Sequence, residues 1–393
     1  MKAQMKKFSL SLVATAILAT PAAFASDSLA SGVTEALADS KVNLQFRGRY
    51  EGVDQDGIDK RADALTLKTR LTVNTGAYNG FSIGAEVDNV AALVQNYNSL
   101  TNGKAEYPVV ADPKGTDINQ AFVKYANDGF SAIVGKQRIL HNNQRFVGGV
   151  GWRQNEQTYD AARLQFKKDA FAADYAYVNA VNTITGGNVK GDFHLANGTF
   201  KVNKDHKLAA FAYVLDYNGT SANSTNTYGA LYNGNLGPVK LNASMATQSD
   251  GKDSPVNYSA NYYNLEVGGK LGQFNLLGGY EVLGSDNGVG FNTPLATKHK
   301  FQGFADKFLG TPGTGIRDVY VTVKTKVSGV KLAATYHDLR SDVDSIKYGT
   351  EIDLVAAYKV SKNYDVLAKF AHYNADEHGT DTTKLWLQAV AKF

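Results

Sequence analysis

The chain contains no cysteine. Disulfides and thiolate metal sites are therefore excluded, and packing and hydrogen bonding must hold the fold together. Only 7 prolines interrupt 393 residues, and methionine and tryptophan number 3 and 2. Beyond the N-terminal leader, no run reaches the roughly 18 apolar residues that a membrane helix needs. Enzyme motifs are absent as well. The histidines are His141, His194, His206, His299, His337, His372 and His378. None shows H-E-x-x-H spacing, and there is no G-x-S-x-G elbow. His337 adjoins Asp338, but no serine can be placed with it. "DQDGID" (54–59) has its glycine too early for a calcium loop, and Leu65 stands where the bidentate glutamate belongs. "DEH" (376–378) reads as a solvated loop. No catalytic residue, metal or cofactor is assigned, and the chain reads as no enzyme.

Aromatic residues are plentiful, with 22 tyrosines and 19 phenylalanines, a bias that suits strands. The N-terminus carries Lys2, Lys6 and Lys7, then the short apolar stretch "FSLSLVATAILA", then Ala23-Phe24-Ala25. This is the pattern of a secretory signal peptide cut after Ala25. Its three lysines supply most of the formal charge of +4. The remainder is close to neutral and gives no support to a nucleic-acid partner.

Alternation of apolar and polar residues runs almost throughout. It predicts eighteen strands: 41–54, 64–75, 81–92, 118–126, 130–140, 157–168, 171–182, 191–203, 207–217, 225–236, 239–249, 261–271, 274–285, 316–328, 330–341, 347–360, 364–374 and 381–393. Before them, "SLASGVTEALADS" spaces Leu29, Val33 and Leu37 four apart, which suits a short helix. The expected layout is a signal peptide (1–25), a short periplasmic segment (26–40) and a barrel (41–393).

The connections alternate in length. One set is tight: "NTGAYNG", "NDG", "KD", "KDH", "LGP", "GQ", "SG" and "SKN", several with the Asn, Asp and Gly of hairpin turns. The other set is usually longer: "DGIDKRAD", 93–117, "HNNQRFVGGVGWRQNE" and 286–315. Short turns on one side and long loops on the other mark an outer-membrane β-barrel, whereas a large β-sandwich gives no reason for the asymmetry. Pro108, Pro113, Pro238, Pro255, Pro294 and Pro312 all fall between strands, where a missing N–H does no harm.

The sequence ends "KLWLQAVAKF", a strand pattern running to Phe393. A sheet in lipid cannot leave an edge unpaired, so this strand is expected to close onto the first. It is similar to the C-terminal signal that the barrel-assembly machinery reads, with Phe393 as its aromatic. The fold class is thus an all-β transmembrane antiparallel barrel of about eighteen strands. It is expected in the outer membrane of a Gram-negative bacterium, among outer-membrane lipid, with both termini periplasmic.

Alternation also assigns faces. In the first strand Val42, Leu44, Phe46 and Tyr50 face lipid, which turns Arg47, Arg49 and Glu51 into the lumen. The same logic turns inward Lys68 and Arg70, Glu86 and Asp88, Lys136 and Arg138, Arg163, Lys324, Glu351 and Asp353, and Lys369. Two readings of this lumen stay open: a self-satisfied ladder of charges, and a transverse field that filters hydrated solutes. The segment 141–153 carries Arg145, Phe146, Trp152 and Arg153 between glycines. Folded inward, it would narrow the pore, and loop 286–315 is a second constriction candidate.

Four blocks carry a family resemblance: "FRGRYE" (46–51), "VGKQRILHNNQRFVGGVGWRQNEQTYDAARLQF" (134–166), "HKFQGFADKFLGTPGTGIRDVYV" (299–321) and "YHDLRSDVDSIKYGTEIDL" (336–354). They resemble the alginate export family of outer-membrane barrels. The resemblance implies an eighteen-stranded channel whose basic lumen passes an acidic polysaccharide. It points to Arg47, Arg49, Arg138, Arg145 and Arg153 as conduit arginines. This chain is shorter than the archetypal exporter, and Glu51, Glu86, Asp88, Glu351 and Asp353 dilute its basic character.

Three functions follow as expectations. The first is a porin for passive diffusion of small hydrophilic, anionic solutes, with a modest anion preference set by the wall of Arg47, Arg49, Lys68 and Arg70. The second is a dedicated conduit for an acidic polysaccharide. The third is a structural or adhesive barrel with a blocked bore.

Overall fold

Period-two patterning with β-branched and aromatic residues on one face gives long strands separated by turns. The computed structural model describes residues 27–393, so the signal peptide expected over 1–25 lies outside the described residues. The barrel strands begin with β1 (Lys41–Gln55), β2 (Ala62–Asn74), β3 (Phe81–Asn96), β4 (Gly115–Asn127), β5 (Phe130–Gln137) and β6 (Thr158–Lys168). They continue with β7 (Phe171–Asn182), β8 (Asn188–Lys201), β9 (His206–Tyr217), β10 (Thr225–Leu236), β11 (Val239–Asp250), β12 (Ser259–Leu271) and β13 (Phe274–Leu283). A small hairpin, β14 (Ser285–Asp286) with β15 (Val289–Gly290), stands apart inside a loop. The last barrel strands are β16 (Ile316–Val327), β17 (Val330–Arg340), β18 (Lys347–Lys359), β19 (Tyr364–Ala375) and β20 (Thr382–Lys392).

Each barrel strand pairs antiparallel with its neighbours, giving one 18-stranded sheet. The sheet closes where β1 meets β20, from Gln45 opposite Lys392 to Gln55 opposite Thr382. Beyond that ladder Phe393 and Leu44 exchange two backbone hydrogen bonds, at 2.9 and 3.0 Å. The Phe393 ring meets Tyr364 edge-on at 6.0 Å. Deleting Phe393 removes both closing bonds and that contact. The yield of heat-modifiable barrel in detergent refolding is expected to fall, and an unchanged yield would make the terminal aromatic incidental.

Large apolar side chains cover the outside, among them Val42, Ile83, Val134, Met245, Val321 and Leu387. Lipid accepts a surface that water would not. Phe130, Phe166, Phe171, Phe200, Phe274 and Phe393 ring the short-turn end. Tyr177, Tyr228, Tyr263, Tyr280 and Tyr336 stand exposed nearer the other end. Two aromatic belts flanking an apolar band mark a membrane-spanning barrel.

The short turns use the left-handed backbone that tight hairpins require. Asp128 and Gly129 have φ of 40° and 80°, and Ser328 and Gly329 have 48° and 87°. Positive φ at both central positions matches the twist of the flanking strands. A Cβ on Gly129 would lie 2.2 Å from the Lys167 carbonyl oxygen, so the turn needs glycine on steric grounds too.

Helix α1 (Asp27–Ala38) precedes the barrel. It does not dock through the Leu29–Val33 stripe, which stays exposed. Its small side rests on the turn between β2 and β3: Gly76 N–H donates to the Ala36 carbonyl at 2.8 Å, and Gly32 faces the Tyr78 ring.

Candidate constriction

The loop-side half of the bore is filled by three inward-folded segments, 97–114, 138–157 and 284–315. Segment 138–157 crosses the bore and is held at both walls. β5 stops at Gln137 instead of running to 140, because Arg138 N–H donates to the Gln120 side chain at 3.1 Å and leaves the ladder. Arg138 therefore sits at the root of the loop. Its guanidinium bonds Glu86 on β3 and Glu156 at the loop's far end.

Glu156 is the centre of this wall. It also takes Arg70 at 2.9 Å and Lys68 at 3.9 Å. Arg70 bonds its cross-strand partner Asp88 at 2.5 and 2.6 Å. Burial pushes the Glu156 carboxyl up, but Arg138, Arg70 and Lys68 outweigh it and hold it down at about 2.

The strand register sets Arg47 directly opposite Lys68, a repulsive pair. The loop relieves it. Arg47 donates to the Gln154 side chain at 2.8 Å, to the Gly151 carbonyl at 3.0 Å and to the Arg153 carbonyl. Arg49 donates to the Trp152 carbonyl, stacks over the Trp152 ring at 4.1 Å and pairs with Asp112 at 3.5 Å. Asp112 belongs to segment 97–114 and also accepts from the Gln154 backbone at 2.7 Å. The basic wall is thus a socket whose partners come from the loops.

At the opposite wall Arg145 pairs with Glu281 on β13 at 2.8 Å. Phe146 is buried beside Phe211, Tyr262 and Phe291, with ring centroids 4.7, 5.1 and 6.0 Å away. The same packing makes the inner face of β7–β9 apolar. Val178, Phe193, Leu195, Phe211 and Tyr213 are buried on the inner face because a loop packs there instead of water.

Segment 284–315 docks against the first loop and the wall of β18–β20. Gly148 N–H donates to the Leu295 carbonyl at 2.8 Å, and Thr297 N–H to the Gln144 carbonyl at 3.0 Å. Glu351 accepts from Ala305 N–H at 2.7 Å, and Asp353 from Phe304 N–H at 3.1 Å. Gly303, with φ of 85°, lies so close that a Cβ would be 2.3 Å from the Glu351 carboxyl. His299 stacks on Trp152 at 4.8 Å, meets Asp306 through Nδ1 at 2.7 Å and meets Lys369 through Nε2 at 2.8 Å. An ammonium only donates, so Nε2 accepts, Nδ1–H donates to Asp306 and the ring is neutral. Burial holds the imidazole down at about 3, with Lys369 and Arg153 adding to it against the pull of Asp306. Asp306 is itself held well below the carboxylate range, because His299, Lys384 and Arg153 outweigh its burial. Arg153 reaches Glu51 at 2.9 Å and Asp306 at 3.0 Å, and Lys384 reaches Asp306 at 3.0 Å.

The residues singled out in the sequence therefore separate into groups. Arg47, Arg49, Glu51, Lys68, Arg70, Glu86, Asp88, Arg138 and Arg153 meet around loop 138–157. Glu351, Asp353, Lys369 and Trp152 meet around loop 284–315. Arg145 and Phe146 anchor the far wall. Arg163 pairs with Asp174, which His141 of the loop also approaches at 3.6 Å, and donates to the Arg138 carbonyl at 3.1 Å. Lys136 pairs with Asp117 at 3.1 Å, apart from the network. Lys324 lies at the turn end, far from the constriction. Sequence reasoning missed Asp112, Glu156, Glu281, His299, Asp306 and Lys384. Their signal was weak but present: each acid falls where a lumen base lacked a partner.

Above the constriction a cavity of about 420 Å³ opens toward the loop side. Arg153, Lys298, Lys307 and Lys384 line it against a single carboxylate, Asp306. Burial, then Arg145, brings the Lys298 ammonium down to about 8. Lys307 donates to the Thr382 hydroxyl at 2.9 Å and forms no direct ion pair among the described residues, with Glu351 and Asp381 attracting it from farther away. Leu100, Val109 and Leu309 form an apolar rim.

The alginate export family matches residues 39–274, more than half of the chain. The chain belongs to the alginate export family. Solved structures share its fold. The outer-membrane protein OpdK of Pseudomonas aeruginosa superposes with a TM-score of 0.73 at 14% identity, covering 91% of this chain and 99% of its own. OpdO of Pseudomonas aeruginosa gives 0.71 at 14% identity, covering 92% and 99%. OccAB4 of Acinetobacter baumannii gives 0.66 at 14% identity, covering 90% and 98%. No curated protein matches. The family and the fold together make this chain an outer-membrane β-barrel.

Proposed function

We propose that this family member is an outer-membrane channel for passive diffusion of small hydrophilic anions. The observation that carries the reading is the imbalance above the constriction: four cationic side chains face one carboxylate in a cavity of small-molecule size. The wall of Arg47, Arg49, Lys68 and Arg70 contributes little free field, because its charges are spent on the loops. Selectivity then belongs to Lys298 and Lys307. The short-turn side is taken as periplasmic, following the rule for such barrels. Assembly through the barrel-assembly machinery, with Phe393 in its recognition strand, is part of the same reading, as is a role without catalysis.

Reversal potentials across a salt gradient test it. The wild type is expected to prefer anions, and Lys298→Gln/Lys307→Gln to lose most of that preference. A cation-selective wild type, or a channel with no conductance at all, overturns the reading. Family membership favours a second reading, a conduit for an acidic polysaccharide. A flexible polymer would have to displace both inward loops, so deletion of 141–153 is expected to raise polyuronate flux if that reading holds.

A further inference from the structure

The turn-side rim of the bore carries a charge pattern that the constriction does not use. On β16 and β17 Val323, Val327 and Leu332 face lipid, so Lys324, Lys326 and Lys331 alternate to the lumen face. The inward hydroxyls of Thr322 and Thr335 meet at 3.0 Å on that same face. Leu271 faces lipid, which turns Lys270 inward as well. These four lysines line one cavity of about 550 Å³ with Asn275 and Gln273 and without any carboxylate. None of the four forms an ion pair among the described residues.

The register makes the pattern unfavourable for folding. Lys326 stands directly opposite Lys331. Lys201 stands directly opposite Lys207 on another hairpin of the same rim. Like charges in direct cross-strand register are destabilising, and the hairpins need only polar residues there. Elsewhere in the lumen each repulsive pair is relieved by a loop or an acid, as Arg47 and Lys68 are. At the rim, Asp365 pairs with Lys392 at 3.6 Å, but among the described residues no carboxylate pairs with Lys326 or Lys331, or with Lys201 or Lys207.

We infer that this rim is an anion-binding site for a small polyvalent oxyanion, one carrying two or more negative charges. The inference rests on the channel reading above and names a second site, at the opposite mouth. Four ammonium groups around one small cavity reward a ligand that engages several at once. A single chloride satisfies one charge and leaves the others repelling. Screening over about 8 Å at physiological salt leaves contacts within the cavity intact while weakening attraction from afar. The loop-side cavity is a weaker match: its Arg153 and Lys384 are paired with Asp306, which leaves Lys298 and Lys307, and the outer loops above it carry Asp250, Asp253, Asp342, Asp344, Asp376 and Glu377. Binding from the turn side is therefore the tighter.

Inorganic tripolyphosphate is the probe. Added to the turn side of a reconstituted channel, it is expected to block current; added to the loop side, it is expected to block at least tenfold less. Lys326→Gln/Lys331→Gln is expected to raise the half-blocking concentration at least tenfold while leaving open-channel conductance in place. Loss of the repulsive pair should not lower the melting temperature, and Lys270→Gln/Lys324→Gln provides a second variant at the same cavity. Calorimetric binding of tripolyphosphate to the detergent-folded barrel reads the site without conduction. Equal block from both sides, or binding unchanged in both variants, overturns the inference. A barrel that binds tripolyphosphate at these lysines yet never conducts keeps this site and sinks the channel reading instead.

Discussion

Replacing Arg70 by methionine is expected to unlatch loop 138–157 and raise single-channel conductance. Arg70 bonds Asp88 at 2.5 and 2.6 Å, Glu156 at 2.9 Å and Glu86 at 3.2 Å. Removing it leaves three buried carboxylates to share Arg138 and Lys68. Breaking a buried ion pair by deleting one partner costs about 3–5 kcal/mol, because the remaining charge stays desolvated. The cheapest relaxation is for Glu156 to leave with its loop, since the loop side is open to water. The barrel should survive, because its ladder of backbone hydrogen bonds does not pass through Arg70's side chain. The variant is thus expected to keep its heat-modifiable band while its conductance rises and its selectivity moves toward cations, as Glu86 and Asp88 become exposed. Lys136→Met is the control. Its partner Asp117 lies on β4 and the pair stands apart from the network, so its loss should leave the loop docked. Equal conductance in the wild type and the Arg70 variant would show that Arg138 alone holds Glu156.

Much of the architecture was legible because lipid and hydrogen bonding leave few options. Alternation placed every barrel strand, with the widest boundary miss at the end of β3, which runs to Asn96 instead of 92. Proline positions and turn lengths fixed the two ends, and the demand for closure paired the last strand with the first. The inner face was less legible for a physical reason. In a barrel the lumen can meet water, another strand's side chain or an inserted loop, and period-two patterning does not distinguish these. Arg47 and Arg49 read as a free basic wall because their acceptors are backbone carbonyls of Gly151, Trp152 and Arg153, which have no signature in side-chain chemistry. Glu351 and Asp353 read as lumen acids that dilute the basic character, yet they bind the backbone of Ala305 and Phe304 and so position the second loop. Segment 97–114 read as a plain connection, yet its Asp112 joins Arg49 to the loop.

Acidification is expected to loosen the two-loop constriction, and His299 is the group that sets the upper end of the transition. In the docked state its Nε2 accepts from Lys369, so a second proton would set two cations 2.8 Å apart. Its pKa there is about 3, against an ordinary value near 6.5. A group whose pKa falls on docking contributes stability that is fully present above its undocked pKa. That contribution declines as pH falls, because the released ring binds a proton that the docked ring refuses. The window runs from about 6.5 down to about 3. Glu156, held at about 2, acts in the same sense at lower pH, through the carboxylate range. Docking of segment 284–315 should therefore weaken steadily below pH 6.5, and more steeply still once the carboxylates begin to titrate. Single-channel recordings between pH 7.5 and about 4 are expected to show rising conductance or frequent opening steps. His299→Gln keeps a donor and an acceptor but cannot be protonated, so it should remove the upper part of this dependence and leave the lower, carboxylate part. A wild-type channel whose conductance is flat from pH 7.5 to about 4 would mean that Trp152 stacking and the Glu351 and Asp353 contacts hold the loop without help from the neutral imidazole.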